Sequence, residues 1–351
     1  MNKNFDMFIK IITLYIGAVI GAGFASGQEI LQFFISYGYQ GLFGAAVATV
    51  FFAYLGMMIM YLSTGLQTNN YQQLLQHMIG PAGKLIDVLS LMMLVGGLGV
   101  MFAGSGAVLY QYLALPKYLG ITLALIITCL VLWGGVERVL SANLLLVPIK
   151  LMVVVFIALM VIKNGEINFP AIEYRAIEPK VAKHWLWAGI LYVSYNLVVP
   201  LAALSSLGRM VTMGTGIMAG ISGGVLLGVT IALVTLAGLM FYPDIFNYPV
   251  PMLFMAETIA PVLKTVFALL IWLAIITTAI ANAHGIASRA APHGGRRYKA
   301  VGLSVCLAVL PLTILDFPRL VQTIYPLFGY AGLILTFTLL TAPLYKRGKF
   351  I

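Results

Sequence analysis

The stretch Gly17-Ala18-Val19-Ile20-Gly21-Ala22-Gly23-Phe24 decides how the rest of the chain is read. It lies inside an apolar run long enough to cross a membrane. Yet its three glycines in seven residues make a poor continuous helix, each costing about 1 kcal/mol against alanine. A break at mid-membrane frees backbone N–H and C=O groups, and bare backbone is prohibitive in hydrocarbon unless it lines a wet cavity or meets a ligand. The plainer alternative is that the glycines only let helices pack closely. A second disruption, Tyr192-Val193-Ser194-Tyr195-Asn196-Leu197-Val198-Val199-Pro200, follows near half the chain length further on. There Pro200 cannot donate to the carbonyl of Asn196. Corresponding interruptions in two halves point to the site of an inverted-repeat transporter. The freed amides suit a carboxylate and the freed carbonyls an ammonium or a cation, so such a site suits a zwitterion.

Composition agrees. Of 351 residues, 62% are hydrophobic and 9% charged, with a mean hydropathy of +1.02. A soluble domain is about 45–50% apolar and about 25% charged, so both a water-soluble globule and a disordered chain are excluded. The two cysteines make no disulfide scaffold, and no Cys/His cluster has zinc spacing, so no metal site is firmly indicated. The net charge of +10 reads as loop charge between apolar runs, with no nucleic-acid partner. Ten spans are expected, roughly 8–36, 40–65, 84–113, 118–134, 139–162, 184–207, 213–241, 261–288, 299–315 and 319–343. An even number puts both termini on one side. With that side cytoplasmic, its segments hold twelve of the twenty Lys and Arg residues against seven outside. The His293-Gly294-Gly295-Arg296-Arg297-Tyr298-Lys299 loop is the strongest inside marker. Hydrophobicity resumes through Phe33-Phe34-Ile35, which argues against a cleaved signal peptide. Two long connections, 163–183 and 242–260, fall outside, the second expected to form a short helix over the mouth. One membrane domain is expected, made of two five-helix repeats, 1–163 and 164–351.

The string Gly17 to Phe24 resembles the first-helix motif of the amino acid–polyamine–organocation superfamily, which has the LeuT-type five-plus-five fold with discontinuous helices 1 and 6. Its continuation through Ala25-Ser26-Gly27-Gln28-Glu29 to Phe34 is similar to the YkvI-like bacterial membrane proteins. The resemblance implies secondary transport of amino acids or related amines, with the substrate carboxylate on the amides of Gly21, Ala22 and Gly23. In span 5, Gly135-Val136, Asn143, Val147 and Lys150 follow the spacing of proton-coupled permeases of that superfamily, where a lysine stands in for a sodium ion. In span 8, Ala274, Thr277 and Thr278 follow the Ala-x-x-Thr-Ser/Thr pattern that ligates sodium in sodium-coupled relatives. The two signals disagree, and the coupling ion is left as H+ or Na+. Span 6 departs from the family, with Ser194, Tyr195 and Asn196 where an aromatic-Gly ending is usual.

The residues themselves add candidates. Lys150 falls near mid-depth of span 5, where a buried ammonium is costly and trades its proton readily, unless it snorkels to the interface. Glu29, Gln32 and Ser36 recur at helical spacing beside Gln28, either lining an outer vestibule, attracting an amine or carrying a proton, or forming an inter-helix hydrogen-bond network. Thr277 and Thr278 either hold a cation or bond their own helix. Tyr192 and Tyr195 either stack on a ligand or pack, and His284 either relays protons or is structural. Gly216, Gly220, Gly224 and Gly228 form a ladder for close helix approach in span 7.

These observations lead to an all-α, multi-pass protein of the bacterial cytoplasmic (inner) membrane, with cytoplasmic termini. The expected function is secondary active transport, by alternating access, of an amino acid or related small amine or zwitterion, driven by a proton or sodium gradient. The alternative is a ligand-sensing receptor subunit on a transporter fold. Substrate contacts are expected at Gly21, Ala22, Gly23, Ser194, Tyr195 and Asn196, and ion coupling at Lys150, Thr277, Thr278 and Glu29. No cofactor and no enzymatic activity are expected. The chain has no nucleotide-binding loop and no His-Glu-x-x-His. The expected partners are a small-molecule substrate and the lipid bilayer.

Overall fold

The computed structural model describes residues 3–80, 83–134, 137–165 and 181–345. The described residues are mostly helical. The helices are α1 (Lys3–Val19), α2 (Ala22–Ala25), α3 (Gln28–Phe33), α4 (Gln40–Gly65), α5 (Tyr71–Ile79), α6 (Gly83–Leu113), α7 (Lys117–Gly134) and α8 (Glu137–Asn164). They continue with α9 (Trp185–Asn196), α10 (Val198–Ser205), α11 (Met213–Leu239), α12 (Pro251–Ile259), α13 (Pro261–Ala290), α14 (Gly295–Ala308) and α15 (Phe317–Tyr345). Gly135, Val136, most of the 163–183 connection and the basic C-terminal residues lie outside the described residues, as does the side chain of Asn143.

Among the described residues, eight helices are long and apolar enough to cross a membrane, or nine if the bent pair α9–α10 is one crossing. The expected first crossing is missing from that count because it is divided. α1 has 17 residues, just short of the roughly 20 needed, and α2 and α3 have 4 and 6. The expected ninth span also differs from its sequence outline. It begins at Gly295 and passes into a 3-10 turn, Leu310–Ile314, where Pro311 cannot continue an α-helix.

The outer surface fits hydrocarbon. Val50, Leu130 and Phe337 are 66–68% exposed, and a soluble protein rarely shows so much contiguous apolar surface. Inside, α4 and α11 form the most extensive helix pair. Their backbones touch because the span-7 ladder lacks side chains. A Cβ on Gly220 would stand 2.5 Å from the Gly56 carbonyl, Gly224 abuts Ala53, and Gly228 meets Thr49.

The remaining contacts are reciprocal between the two halves of the chain. α1 packs on α11, and α9 packs on α4. α8 packs on α11 and α13, and α15 on α4 and α6. α6 lies along α13. α12 forms as expected in the 242–260 connection, with Pro251 at its first turn. It is fastened to the first crossing by Met252 N–H donating to the Ser26 carbonyl at 3.0 Å. Gln111 fastens it to α6, accepting from the Val250 amide at 2.7 Å and donating to the Val250 carbonyl at 3.0 Å.

Candidate functional site between the broken helices

The first break is complete. α1 stops at Val19, and the Gly21 amide turns to the Val19 carbonyl at 2.8 Å instead of continuing the ladder. Gly21 itself is extended (φ −79°, ψ −174°), and α2 restarts at Ala22. The Gly21 amide is therefore occupied by backbone, which removes it from the expected carboxylate-binding set. Lys150, only 2% exposed, points its ammonium at the Ile20 carbonyl at 3.4 Å. It does not snorkel. α8 passes close enough to the break for Val147 to fill the space beside Gly17.

The second break is milder than expected. Only Leu197 separates α9 from α10, with α-region dihedrals (φ −84°, ψ −24°), and the helix axes bend by 41°. Pro200 deletes one helical bond, but Leu197 stays in the helical region and the chain bends without unwinding. Its side chains divide. Asn196 and Tyr195 face a cavity, while Ser194 bonds the Ile190 carbonyl at 2.8 Å and Thr336 on α15 at 3.0 Å. Ser194 is thus turned to α15 and does not line the cavity.

Glu29 does not line an outer vestibule. After α2, Gly27 adopts a left-handed conformation (φ +81°) that few other residues tolerate, and α3 turns back toward the break. Glu29 is 4% exposed, and its carboxylate accepts a hydrogen bond from Tyr195 Oη and is hydrogen-bonded to the Phe24 backbone. Its other oxygen stands where a Cβ on Gly23 would be, and Tyr325 Oη lies 3.0 Å from that same point. The Tyr195 ring lies 5.1 Å from Tyr325 and 5.5 Å from Tyr192. Tyr192 Oη is buried within reach of both Glu29 and Asn196, in a geometry short of a well-formed hydrogen bond. The rest of the polar stripe is a network: Gln32 donates to Gln28 at 3.1 Å, Gln28 to the Pro249 carbonyl at 3.3 Å, and Ser36 to the Gln32 carbonyl at 2.8 Å.

Tyr195, Asn196 and Tyr325 close the inner end of a cavity of about 260 Å³ that reaches the surface at Arg289 and Tyr71. That mouth is tied together by Tyr71 Oη donating to Asp87 at 2.6 Å and by Arg289 donating to the Asp87 carbonyl at 3.1 Å. Tyr71 lies outside the spans, and burial and the Asp87 carboxylate raise its pKa. A second cavity, of about 450 Å³, lies between Lys10, Val147 and Ala203 and shares Ala18 and Val199 with the first.

The Thr277 and Thr278 hydroxyls donate to the Ala274 carbonyl of their own helix, at 3.1 and 2.7 Å. His284 pairs with Tyr298 at 2.7 Å. Among the described residues, no group of three or more His, Cys, Asp or Glu could hold a metal ion. The sequence reading missed Tyr325. An aromatic residue in an apolar span carries no mark of its place beside Tyr195 in the cavity wall.

No family model matches the chain. The membrane protein YkvI of Bacillus subtilis (strain 168) is 29% identical over 343 residues, 95% of each chain. The protein YyaD of the same organism is 31% identical over 350 residues, 97% of this chain and 98% of its own length. Among solved structures, MhsT in complex with L-phenylalanine matches with a TM-score of 0.59 at 14% identity, covering 94% of this chain and 87% of that one. A manganese transporter of Eremococcus coleocola matches with a TM-score of 0.59 at 14% identity over 97% and 80%. A Na+-coupled sialic acid symporter matches with a TM-score of 0.58 at 11% identity over 96% and 79%. At such low identity the structural likenesses establish the fold, which is all-α and LeuT-type. The near-complete coverage by YyaD and YkvI establishes kinship, and the chain belongs to their family of bacterial membrane proteins.

Proposed function

We propose that the protein is a secondary active transporter of an amino acid or related small amine, working by alternating access and driven by a proton or sodium gradient. One observation carries the reading: a buried lysine and a buried carboxylate both sit against the first interrupted crossing, and Tyr195 of the second, which bonds that carboxylate, lines a cavity. In a rigid structural protein, an interrupted backbone and two ionisable groups inside the membrane would be a cost without a return. In a transporter they supply a hinge, a ligand contact and a coupling group.

In this reading α1, α2 and α3 together make one more crossing beside α9–α10, giving ten, and residues 1–163 and 164–351 are the two repeats. The reciprocal packing of α1 on α11 and α9 on α4 supports that division. Both termini lie on the cytoplasmic side, and the Arg289–Tyr71 mouth opens there too. Lys150 supplies the coupling charge. While protonated, its ammonium holds the Ile20 carbonyl at the end of α1 as a bound cation would, and loss of the proton releases that end. Thr277 and Thr278 remain the sodium alternative, their hydroxyls converging on one carbonyl. Related solved structures include proteins described as symporters and transporters, in line with this reading.

The test is uptake by purified protein in liposomes, across a panel of amino acids and amines, with a proton or a sodium gradient imposed separately. Uptake that follows one gradient supports the proposal. Saturable binding with no flux under either gradient would overturn it in favour of a sensor.

A further inference from the structure

Building on the transport reading, we infer that the transported ligand is a small organic cation, an amine without a carboxylate, recognised by Glu29 within a cluster of tyrosines. Four observations converge. First, the place a substrate carboxylate would take at the first break is filled by the protein's own. The Gly21 amide is used by Val19, and the Glu29 carboxylate lies against Gly23 and the Phe24 backbone. A second carboxyl group there would compete with Glu29 for the same space and the same backbone donors.

Second, Glu29 has no cationic partner among the described residues. The ion pairs found there are Lys117–Asp316 and Lys264–Glu257, and Lys150 is directed at a carbonyl. Buried carboxylates are normally paired, so an ammonium is the missing complement.

Third, the groups around Glu29 are aromatic faces and hydroxyls. Tyr195 and Tyr325 stand 5.1 Å apart at the end of the cavity, and Phe328 stacks on Tyr325 at 6.1 Å. Such faces attract a cation by their quadrupoles and offer a carboxylate little. Fourth, Tyr192 Oη is buried in electrostatic contact with Glu29, adding a third tyrosine hydroxyl to the polar lining around that carboxyl group.

The cavity wall is otherwise largely apolar, with Ile86, Met93, Leu94 and Leu201 along it, which suits a hydrocarbon body behind the charge. Arg289 stands at the mouth and is held by the Asp87 carbonyl. In the conformation described, the Tyr195 hydroxyl caps Glu29, and the entering ammonium takes its place on the carboxylate.

The experiment compares matched pairs on the full-length protein in nanodiscs: 2-phenylethylamine against phenylalanine, tyramine against tyrosine, and isoamylamine against leucine. Thermal shift and isothermal titration give apparent affinity, and uptake into liposomes is followed in parallel. The amine of each pair should bind at least about tenfold tighter than its amino acid, and N-acetylation of the amine should abolish binding. Glu29→Gln should remove the amine response. Amino acids binding as well as or better than their amines would overturn the assignment while leaving transport intact. So would amine binding unchanged in a folded Glu29→Gln protein. Neither binding nor flux for either member of any pair would overturn both the assignment and the transport reading. The wild-type comparison decides the matter even if Glu29→Gln does not fold.

Discussion

Two glycines two residues apart should respond in opposite ways to the same substitution. An alanine Cβ at Gly21 would meet nothing within 4 Å, and its backbone is in an ordinary extended conformation. Gly21→Ala should therefore change stability by no more than about 1 kcal/mol, and in the favourable direction if the unfolded chain loses freedom. At Gly23 the new Cβ would fall on the Glu29 carboxylate and 3.0 Å from Tyr325 Oη. The carboxylate is the free end of a side chain and can move, but only by leaving Tyr195. A hydrogen bond to a charged group is worth about 1.5–3 kcal/mol, so Gly23→Ala should cost roughly that much. If Glu29 holds the ligand, the same displacement should weaken binding by ten- to a hundredfold or more, at about 1.4 kcal/mol per decade. Thermal unfolding of both variants in detergent, followed by titration with the best amine of the panel, reads both quantities. Equal losses in the two variants would refute the argument, because they would show that the break tolerates no side chain at all. An unaffected Gly23→Ala would refute it differently, by showing that Glu29 need not lie where it does.

Other perturbations test separate parts of the molecule. Lys150→Ala should reduce gradient-driven uptake at least about tenfold while leaving substrate exchange measurable, and unchanged dependence on the imposed pH difference would remove Lys150 from coupling. Gly224→Leu should cost several kcal/mol or prevent folding, because its side chain has only the Ala53 backbone to enter, whereas Gly214→Ala, with nothing within 4 Å of its Cβ, should be neutral by the same melting assay. Asp87→Asn should leave the fold intact and change the rate at which the cavity mouth opens, read as exchange kinetics, since Asp87 ties Tyr71 on α5 to Arg289 on α13. A single cysteine at His293, in a background lacking Cys129 and Cys306, should be labelled by an impermeant thiol reagent only from the cytoplasmic face.

The fold was legible because the bilayer imposes it. A hydrocarbon slab demands about 20 apolar residues per crossing, and the turn prolines and loop charges punctuate the runs in between. The place of the first break was legible for a related reason, since glycine loses the most on entering a helix. What the sequence could not convey is direction. Glu29 sits two turns past the break in a continuous-helix reading and so pointed to an outer vestibule. The left-handed Gly27 folds α3 back, and the same residue reaches Gly23. Pro200 misled in the opposite sense. A proline removes one hydrogen bond, and whether the helix then unwinds or merely bends is decided by neighbours. Here Leu197 stays helical and the outcome is a 41° bend. The hydroxyls of Thr277 and Ser194 carried the same ambiguity. Their identity admits both a ligand and a nearby carbonyl, and only coordinates show that the first turns to its own helix and the second also to α15.

The unequal breaks have a mechanical consequence. At the first break Gly21 is extended and α1 can swing about Ile20–Gly21 at small cost, whereas Leu197 stays in the helical region and bending α9–α10 further has to take it out of that region. Motion should therefore concentrate in α1, and the groups that act on that hinge should control it. Lys150 holds the carbonyl on one side of the hinge, and Glu29 lies against the residues on the other. A cationic ligand bound at Glu29 and a proton held on Lys150 would then act on the two sides of one joint. This arrangement couples the two without a relay of residues between them, because each changes the energy of the same two-state element. Hydrogen exchange should show it: α1 amides should exchange faster in Lys150→Ala than in wild type, while those of α9 and α10 should not. Acceleration spread equally over α1, α9 and α10 would place the hinge in the whole bundle and remove the first break from its special position.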